Sequence, residues 1–484
     1  MRDTDNLVRY SLLKRCQCSD LRMNKTILHD GAEGVKERWP IHVLYGGAHL
    51  FKADTPEKLG NIALRSLNTY ASNFVEFADA MSLKGSEALP RFPKAIATLE
   101  KDLAKQPEKF RSENFPAWFA WTIYNRTIQK LQAEPIEDFR IDFEDGYGFR
   151  VDEEEDAHAV SAAEELAKVF KSKTITRFSG LRIKAFALET YERSVRTLNI
   201  FLDTFLNKNN NHLPGGFVVT LPKVNDKKEV RELCKLLDQI EKKYHLKAKS
   251  IGIEIMIETP LAVFDKNGRP ALKNIVKAAK DRQISAHFGA YDYTASLGIS
   301  AGHQSLHHES CNFARQMMLI SLSPLGIRLS DSVTTELPVP IHKGEKLSQA
   351  QLSENRQSVH SGWRTHFQNV TRSMTGGFYQ SWDLHPNQLV ARYAAVYAFF
   401  LEAKDAQADR LKGFIEKAAQ AKITGNTFDD AASALGLVNF FRLGLNCGAF
   451  TSGEILEVTG LSADELGSGS FSQITGSRRT SGED

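Results

Sequence analysis

Eight short apolar runs, rich in β-branched and aromatic residues and separated by helical patterns, constrain the fold of this 484-residue chain more than any other feature. They are Ile41–Gly46, Phe139–Glu144, Gly180–Phe186, Gly216–Pro222, Ile251–Ile257, Ser285–Ala290, Leu325–Ser330 and Phe378–Leu384. Short apolar runs alternating with helical stretches predict parallel strands joined by crossover helices. Eight of them predict an α/β fold closed as a (β/α)8 TIM barrel rather than an open sheet.

The connections are uneven. Residues 47–138 are too many for one crossover helix and carry helical patterns at Pro56–Met81, Phe92–Lys105 and Trp118–Leu131, a large insertion after the first strand. The segment Thr334–Gly376 reads as a second long loop. After the eighth run, Leu389–Asp409, Leu411–Ala421 and Phe428–Leu445 read as helices, the last two in a small appended module. The organisation expected is an N-terminal extension over 1–40, a barrel over 41–400 and a helical C-terminal module over 401–466. The Gly/Ser-rich residues 467–484 read as a disordered tail.

Composition removes several classes of function. Lys plus Arg number 62 against 59 Asp plus Glu, a net charge of +3 that gives no reason to expect nucleic acid. The stretch TSGEILEVTGLSADEL is like a helix–turn–helix by composition only. No run approaches the roughly 18 apolar residues of a membrane span, and the N-terminus lacks the apolar run of a secretory signal. Cys16, Cys18, Cys234, Cys311 and Cys447 are too few and scattered for a disulfide framework or zinc ribbon, which fits a reducing cytoplasm. There is no P-loop, no G-x-G-x-x-G after a strand and no G-x-S-x-G elbow.

Barrel enzymes carry their reactive groups at the C-terminal strand ends. Here those ends read Asp142-Phe-Glu144-Asp145-Gly146, Arg182 with Lys184, Leu221-Pro222-Lys223 and Glu258-Thr259-Pro260. The remaining ends read Asp292, Asp331 and Asp383-Leu-His385-Pro386. At least four carboxylates would then share one mouth. Like charges at close range cannot all stay ionised without compensation. A divalent cation compensates them, and all-oxygen ligation favours Mg²⁺ or Mn²⁺ over Zn²⁺. His303 and His307 are spaced for one helix face, but Gln304 breaks the H-E-x-x-H zinc pattern. His385, before Pro386, suits a backbone-fixing turn as well as chemistry. The run Asp152–Asp156 reads as a solvated helix start.

The ordered series FEDG, GLRIKAF, LPKV, IMIETP, GAYDYTASLG, PLGIRLSDS and WDLHPNQ, spread over about Ile41 to Ala403, resembles the citrate lyase beta-subunit group of the HpcH/HpaI aldolase family. The resemblance implies a homo-oligomeric (β/α)8 barrel that makes or breaks C–C bonds beside a carboxylate, a 2-oxo acid or a CoA thioester. It implies Glu258 and Asp292 as metal ligands, and Glu144 and Asp145 as acidic groups that hold metal-bound water or orient neighbours. Arg182 would face the substrate carbonyl and carboxylate. Lys184 stands where the family commonly has Asn, which would alter polar contacts around the substrate; Tyr293 replaces the usual Leu.

The reading that follows is a Mg²⁺-dependent carbon–carbon lyase or aldolase acting on a small 2-oxo acid or acyl-CoA thioester through a metal-stabilised enolate. Arg182, Glu144 and Asp145 would be catalytic, Arg182 and Lys223 would bind substrate, and Glu258 and Asp292 would hold Mg²⁺. Two alternatives stand beside it: phosphoryl transfer of the phosphoenolpyruvate type on the same enolate site, and a catalytically inactive binding or regulatory barrel.

Overall fold

A computed structural model of the chain describes residues 38–172, 176–420 and 431–467. Most of the expected N-terminal extension, Cys16, Cys18 and almost all of the expected tail lie outside them. The chain divides into two compact units, Pro40–Ala395 and the residues on either side of that range.

The first unit is a closed barrel whose eight strands pair in sequence order, β8 returning to β1. The strands are β1 (His42–Gly47), β2 (Asp138–Asp142), β3 (Phe178–Arg182), β4 (Val218–Leu221), β5 (Gly252–Ile257), β6 (Gln283–Phe288), β7 (Arg328–Val333) and β8 (Gln380–Asp383). All pairings are parallel. Each expected run overlaps one strand, with ends that differ by up to four residues. Both faces are covered: every residue of β2, β4 and β5 is buried, including the polar Asp138, Arg140, Asp142, Thr220 and Glu254, so these strands read as short β-branched or aromatic runs interrupted by single polar residues.

The crossover helices show why the chain forms this layer. In Lys227–Lys243 the buried residues Val230, Leu233, Cys234, Leu237 and Ile240 recur at helical spacing and make one apolar stripe. Asp226 caps that helix by accepting the Lys228 N–H at 2.8 Å.

The barrel interior is polar. Glu254 of β5 accepts from Arg140 Nη2 at 2.8 Å, Thr220 Oγ1 at 2.7 Å, Ser285 Oγ at 2.6 Å and the Tyr45 hydroxyl at 3.1 Å. Side chains from β1, β2, β4, β5 and β6 meet in this way only inside the barrel. The buried Arg140 is balanced by Asp138 and Glu254, as a buried charge requires.

Three local expectations are corrected. Pro56–Met81 is two helices, Thr55–Tyr70 and Phe74–Met81. Asn73 interrupts the pattern and caps the second, accepting from Val75 N and Glu76 N. The segment 334–376 is mostly the helix Gln349–Thr375, started by a Ser348/Gln351 capping box. Leu389–Asp409 and Leu411–Ala421 are not separate helices: Gln388–Gln420 is continuous, with no breaker between Asp409 and Leu411.

The second unit contains the helices Ala431–Asn446, Ser452–Thr459 and Ala463–Gly467. Phe400, Phe440 and Phe450 form its aromatic core, with centroids 5.4–5.9 Å apart. Among the described residues, no helix is long and apolar enough to cross a membrane.

Candidate active site

The loops after β2, β4, β5 and β6, with the end of β3, build the mouth. After β2 the chain turns sharply back on itself: Asp142 accepts the Glu144 N–H at 3.0 Å and the Gly146 N–H at 2.8 Å. Gly146 is needed there, because a Cβ would lie 2.5 Å from Asp142 Oδ2. Gly47 at the end of β1 is needed too, because its Cβ would meet the Gly146 carbonyl at 2.4 Å. This close packing presents Glu144 and Asp145 to the mouth.

Arg182, at the end of β3, pairs in register with Asp142. Its Nε and Nη2 donate to Asp142 Oδ1 and Oδ2 at 2.6 and 2.5 Å. Its Nη1 lies 3.4 Å from Glu144 Oε2 and 3.9 Å from Asp145 Oδ2, with Met256 Sδ at 3.6 Å. The guanidinium also lies 4.6 Å from the Tyr45 ring and 5.9 Å from Trp382. Burial alone would disfavour the cation, but Asp142 and Glu144 outweigh it and keep Arg182 charged.

Glu258 follows β5 and is buried, 1% exposed. Its Oε1 accepts the Lys223 backbone N–H at 2.6 Å. Gly289 makes room for it, since a Cβ there would lie 2.4 Å from Glu258 Oε2. Thr259 ties this loop to the one after β4 by donating to Val224 O at 2.8 Å, and it caps the helix Pro260–Val263. Asp292 stands in the first turn of the helix Ala290–Ser296, after β6. Lys223 reaches across: its Nζ contacts Glu144, lies 3.1 Å from Asp145 Oδ1 and 3.7 Å from Asp292 Oδ1.

The electrostatics follow from this crowding. Burial, with Asp292 as a like-charged neighbour, pushes Glu258 up to about 8. Burial, reinforced by Asp145, pushes Glu144 up to about 7 against the pull of Arg182 and Lys223. Burial also raises Asp292. Asp145 goes the other way: burial opposes ionisation, yet Glu144, Arg182 and Lys223 hold it below the usual range.

The structure therefore brings Glu144, Asp145, Arg182, Lys223, Glu258 and Asp292 together. It does not bring Asp331 or Asp383 with them. Asp331 is buried against Arg315 at 3.1 Å and Ser373 at 2.5 Å. Asp383 is buried with His42, His366 and Arg392. Strand alternation aims these two side chains away from the mouth.

Lys184 also leaves the mouth. Its Nζ donates to Phe143 O at 2.6 Å and pairs with Glu155 at 3.2 Å. Glu155 is thus buried rather than part of a solvated run, and it also accepts from Thr197 at 2.6 Å. His303 and His307 do not share a helix: His303 ends a single 3₁₀ turn, and His308 caps the helix Glu309–Leu322. His385 accepts the Asn387 N–H at 3.1 Å, the turn-fixing arrangement. Tyr45 and Trp382 escaped sequence reasoning as site residues, and the sequence places Asp142 at a strand end without giving it a role. Asp142 stood beside the acidic motif, but nothing local marks its partner forty residues away.

A closed eight-stranded barrel with four carboxylates and two cations at the C-terminal strand ends defines the class of molecule. The chain belongs to the family of the domain of unknown function DUF6986, which matches residues 22–474. No curated protein matches it. Among solved structures it is similar to a citrate lyase of Burkholderia xenovorans LB400, at 16% identity over 69% of this chain and 92% of that one, with a TM-score of 0.49. It is similar to a malate synthase of Haloferax volcanii in a magnesium/glyoxylate complex, at 14% identity over 89% and 98%, with a TM-score of 0.43. A citrate lyase beta subunit of M. tuberculosis with oxaloacetate and magnesium matches at 17% identity over 60% and 93%, with a TM-score of 0.34.

Proposed function

We propose that the chain is a Mg²⁺-dependent carbon–carbon lyase or aldolase acting on a small 2-oxo acid or acyl-CoA thioester. The observation that carries this reading is the convergence, at one barrel mouth, of the Glu258/Asp292 carboxylates with a guanidinium fixed by Asp142.

The residues fit a hard divalent ion. The donors are all carboxylate oxygens, and their crowding leaves negative charge that a cation relieves. Among the described residues no three His, Cys, Asp or Glu side chains are gathered as a metal-ligand set. Mg²⁺ takes one or two carboxylates and completes its shell with water and substrate oxygens. When held by Glu258 and Asp292, Mg²⁺ or Mn²⁺ supplies Lewis-acid polarisation of a substrate carbonyl.

The chain's own residues supply the rest. Asp142 occupies Nε and Nη2 of Arg182, leaving Nη1 with only longer contacts. Nη1, on the guanidinium held by Asp142 but in only long contacts with Glu144, Asp145 and Met256, can exchange these for a developing enolate oxygen. Glu144, pushed up to about 7, is tuned to give and take a proton near neutral pH. Asp145 stays ionised and anchors Lys223, whose ammonium meets a substrate carboxylate.

The test is direct. Purified protein is incubated with 2-oxo acids, 3-hydroxy acids and their CoA thioesters, and release of a pyruvate or acetyl thioester fragment is followed. Cleavage that requires Mg²⁺ and stops with EDTA supports the reading. Cleavage indifferent to EDTA contradicts it.

A further inference from the structure

Lys223 touches all four carboxylates of the mouth. Its ammonium contacts Glu144 and lies 3.1 Å from Asp145 Oδ1 and 3.7 Å from Asp292 Oδ1, while its backbone N–H holds Glu258 Oε1 at 2.6 Å. Its backbone makes this possible. With φ at 51°, Lys223 is in the left-handed region that side-chain-bearing residues seldom adopt. That conformation sends the N–H towards Glu258 and the side chain across to Glu144. The tether from Thr259 Oγ1 to Val224 O holds the loop in place. A non-glycine residue in this region persists only where its surroundings over-determine it, and such residues cluster at functional sites.

We propose that Lys223 is a built-in counter-cation that divides the mouth into two halves. It neutralises Glu144 and Asp145, and a divalent ion must draw Asp292 away from it to bind. This rests on the metal reading above and extends it. The ammonium sets metal affinity by competition for Asp292, and it confines one divalent ion to the Glu258/Asp292 half. Without it, four carboxylates would face a metal with only Arg182 opposing them, and Arg182 is committed to Asp142.

The experiment is calorimetric titration of Mn²⁺ and of Mg²⁺ into the wild-type protein, Lys223→Met and Lys223→Arg at low ionic strength. Lys223→Gly, which suits the left-handed backbone, replaces Lys223→Met if that variant is misfolded. Removing a full positive charge about 4 Å from a ligand oxygen predicts tighter binding by roughly 10-fold or more. Lys223→Met should also take up a second ion beside Glu144 and Asp145; tighter binding with a stoichiometry still of one would overturn the confinement. Lys223→Arg should keep the wild-type affinity. If wild type and Lys223→Met bind with equal affinity, or Lys223→Met binds more weakly, the competition is refuted while the metal reading stands. If neither binds either ion, the metal reading falls and the proposal with it.

Discussion

Asp142 grips Arg182 with both carboxylate oxygens, Nε to Oδ1 at 2.6 Å and Nη2 to Oδ2 at 2.5 Å, and with the same oxygens it shapes the loop carrying Glu144. One buried carboxylate thus positions the guanidinium and the proton-transfer candidate together. Asp142→Asn keeps the shape but removes the charge that orients Arg182. Activity should fall by about 10–100-fold, the scale of losing an orienting partner. Unchanged turnover in a folded Asp142→Asn protein would show that Arg182 needs no such support.

Metal binding should depend on Glu258 and Asp292 separately. Glu258→Gln and Asp292→Asn should each abolish tight Mg²⁺ or Mn²⁺ binding while the chain stays folded. Gly289→Ala changes no charge but places a Cβ 2.4 Å from Glu258 Oε2, so it should weaken the metal too. Calorimetry showing wild-type affinity in both carboxylate variants would remove the assignment.

The pH dependence has a definite sign. Glu258 is raised from an ordinary 4.5 to about 8 by burial and by Asp292, and Glu144 to about 7 by burial and by Asp145. A carboxyl raised in the folded state favours folding when protonated. Its ionisation therefore costs stability progressively between about pH 4.5 and 8. The metal-free protein should gain melting temperature from these groups on acidification from pH 8 towards 5. Metal affinity should move oppositely and rise with pH up to about 8, because the ion displaces protons. Metal affinity that is flat between pH 6 and 8 would contradict these environments.

The Glu155–Lys184 pair gives a stability prediction away from the chemistry. Both side chains are buried, and Glu155 is the partner of Lys184 in a region that reads as solvated charge. Glu155→Ala strands a buried ammonium and should cost about 3–5 kcal/mol in denaturant unfolding. Combining it with Lys184→Met should restore much of the loss. A loss below about 1 kcal/mol would mean water reaches Lys184.

The barrel was legible because strands buried on both faces leave short, mostly apolar runs between helical patterns, as in β5, where all six residues are buried and Glu254 alone is charged. The mouth residues were legible because Glu144, Lys223, Glu258 and Asp292 follow those runs directly. What stayed hidden depends on side-chain pairing across the sequence. Nothing near Glu155 announces Lys184, and nothing near Asp142 announces Arg182. Asp331 and Asp383 misled because a strand end fixes position but not facing. β7 runs on to Val333, and alternation turns Asp331 to Arg315. The Tyr45–Trp382 contact, 4.6 Å between centroids, joins β1 to β8 and exists only once the barrel closes.

The central claim is that this mouth stabilises an enolate in a metal-dependent way, and solvent exchange reads it without knowledge of the full substrate. Pyruvate, oxaloacetate and acetyl-CoA are incubated with the protein and Mg²⁺ in D₂O and followed by NMR. We expect deuterium uptake at the carbon beside the carbonyl, or cleavage, with at least one of the three. The rate should collapse with EDTA and fall by roughly 10²–10³-fold in Arg182→Ala, the scale for removing one charge-stabilising donor. Exchange that persists undiminished in EDTA or in Arg182→Ala would contradict the account.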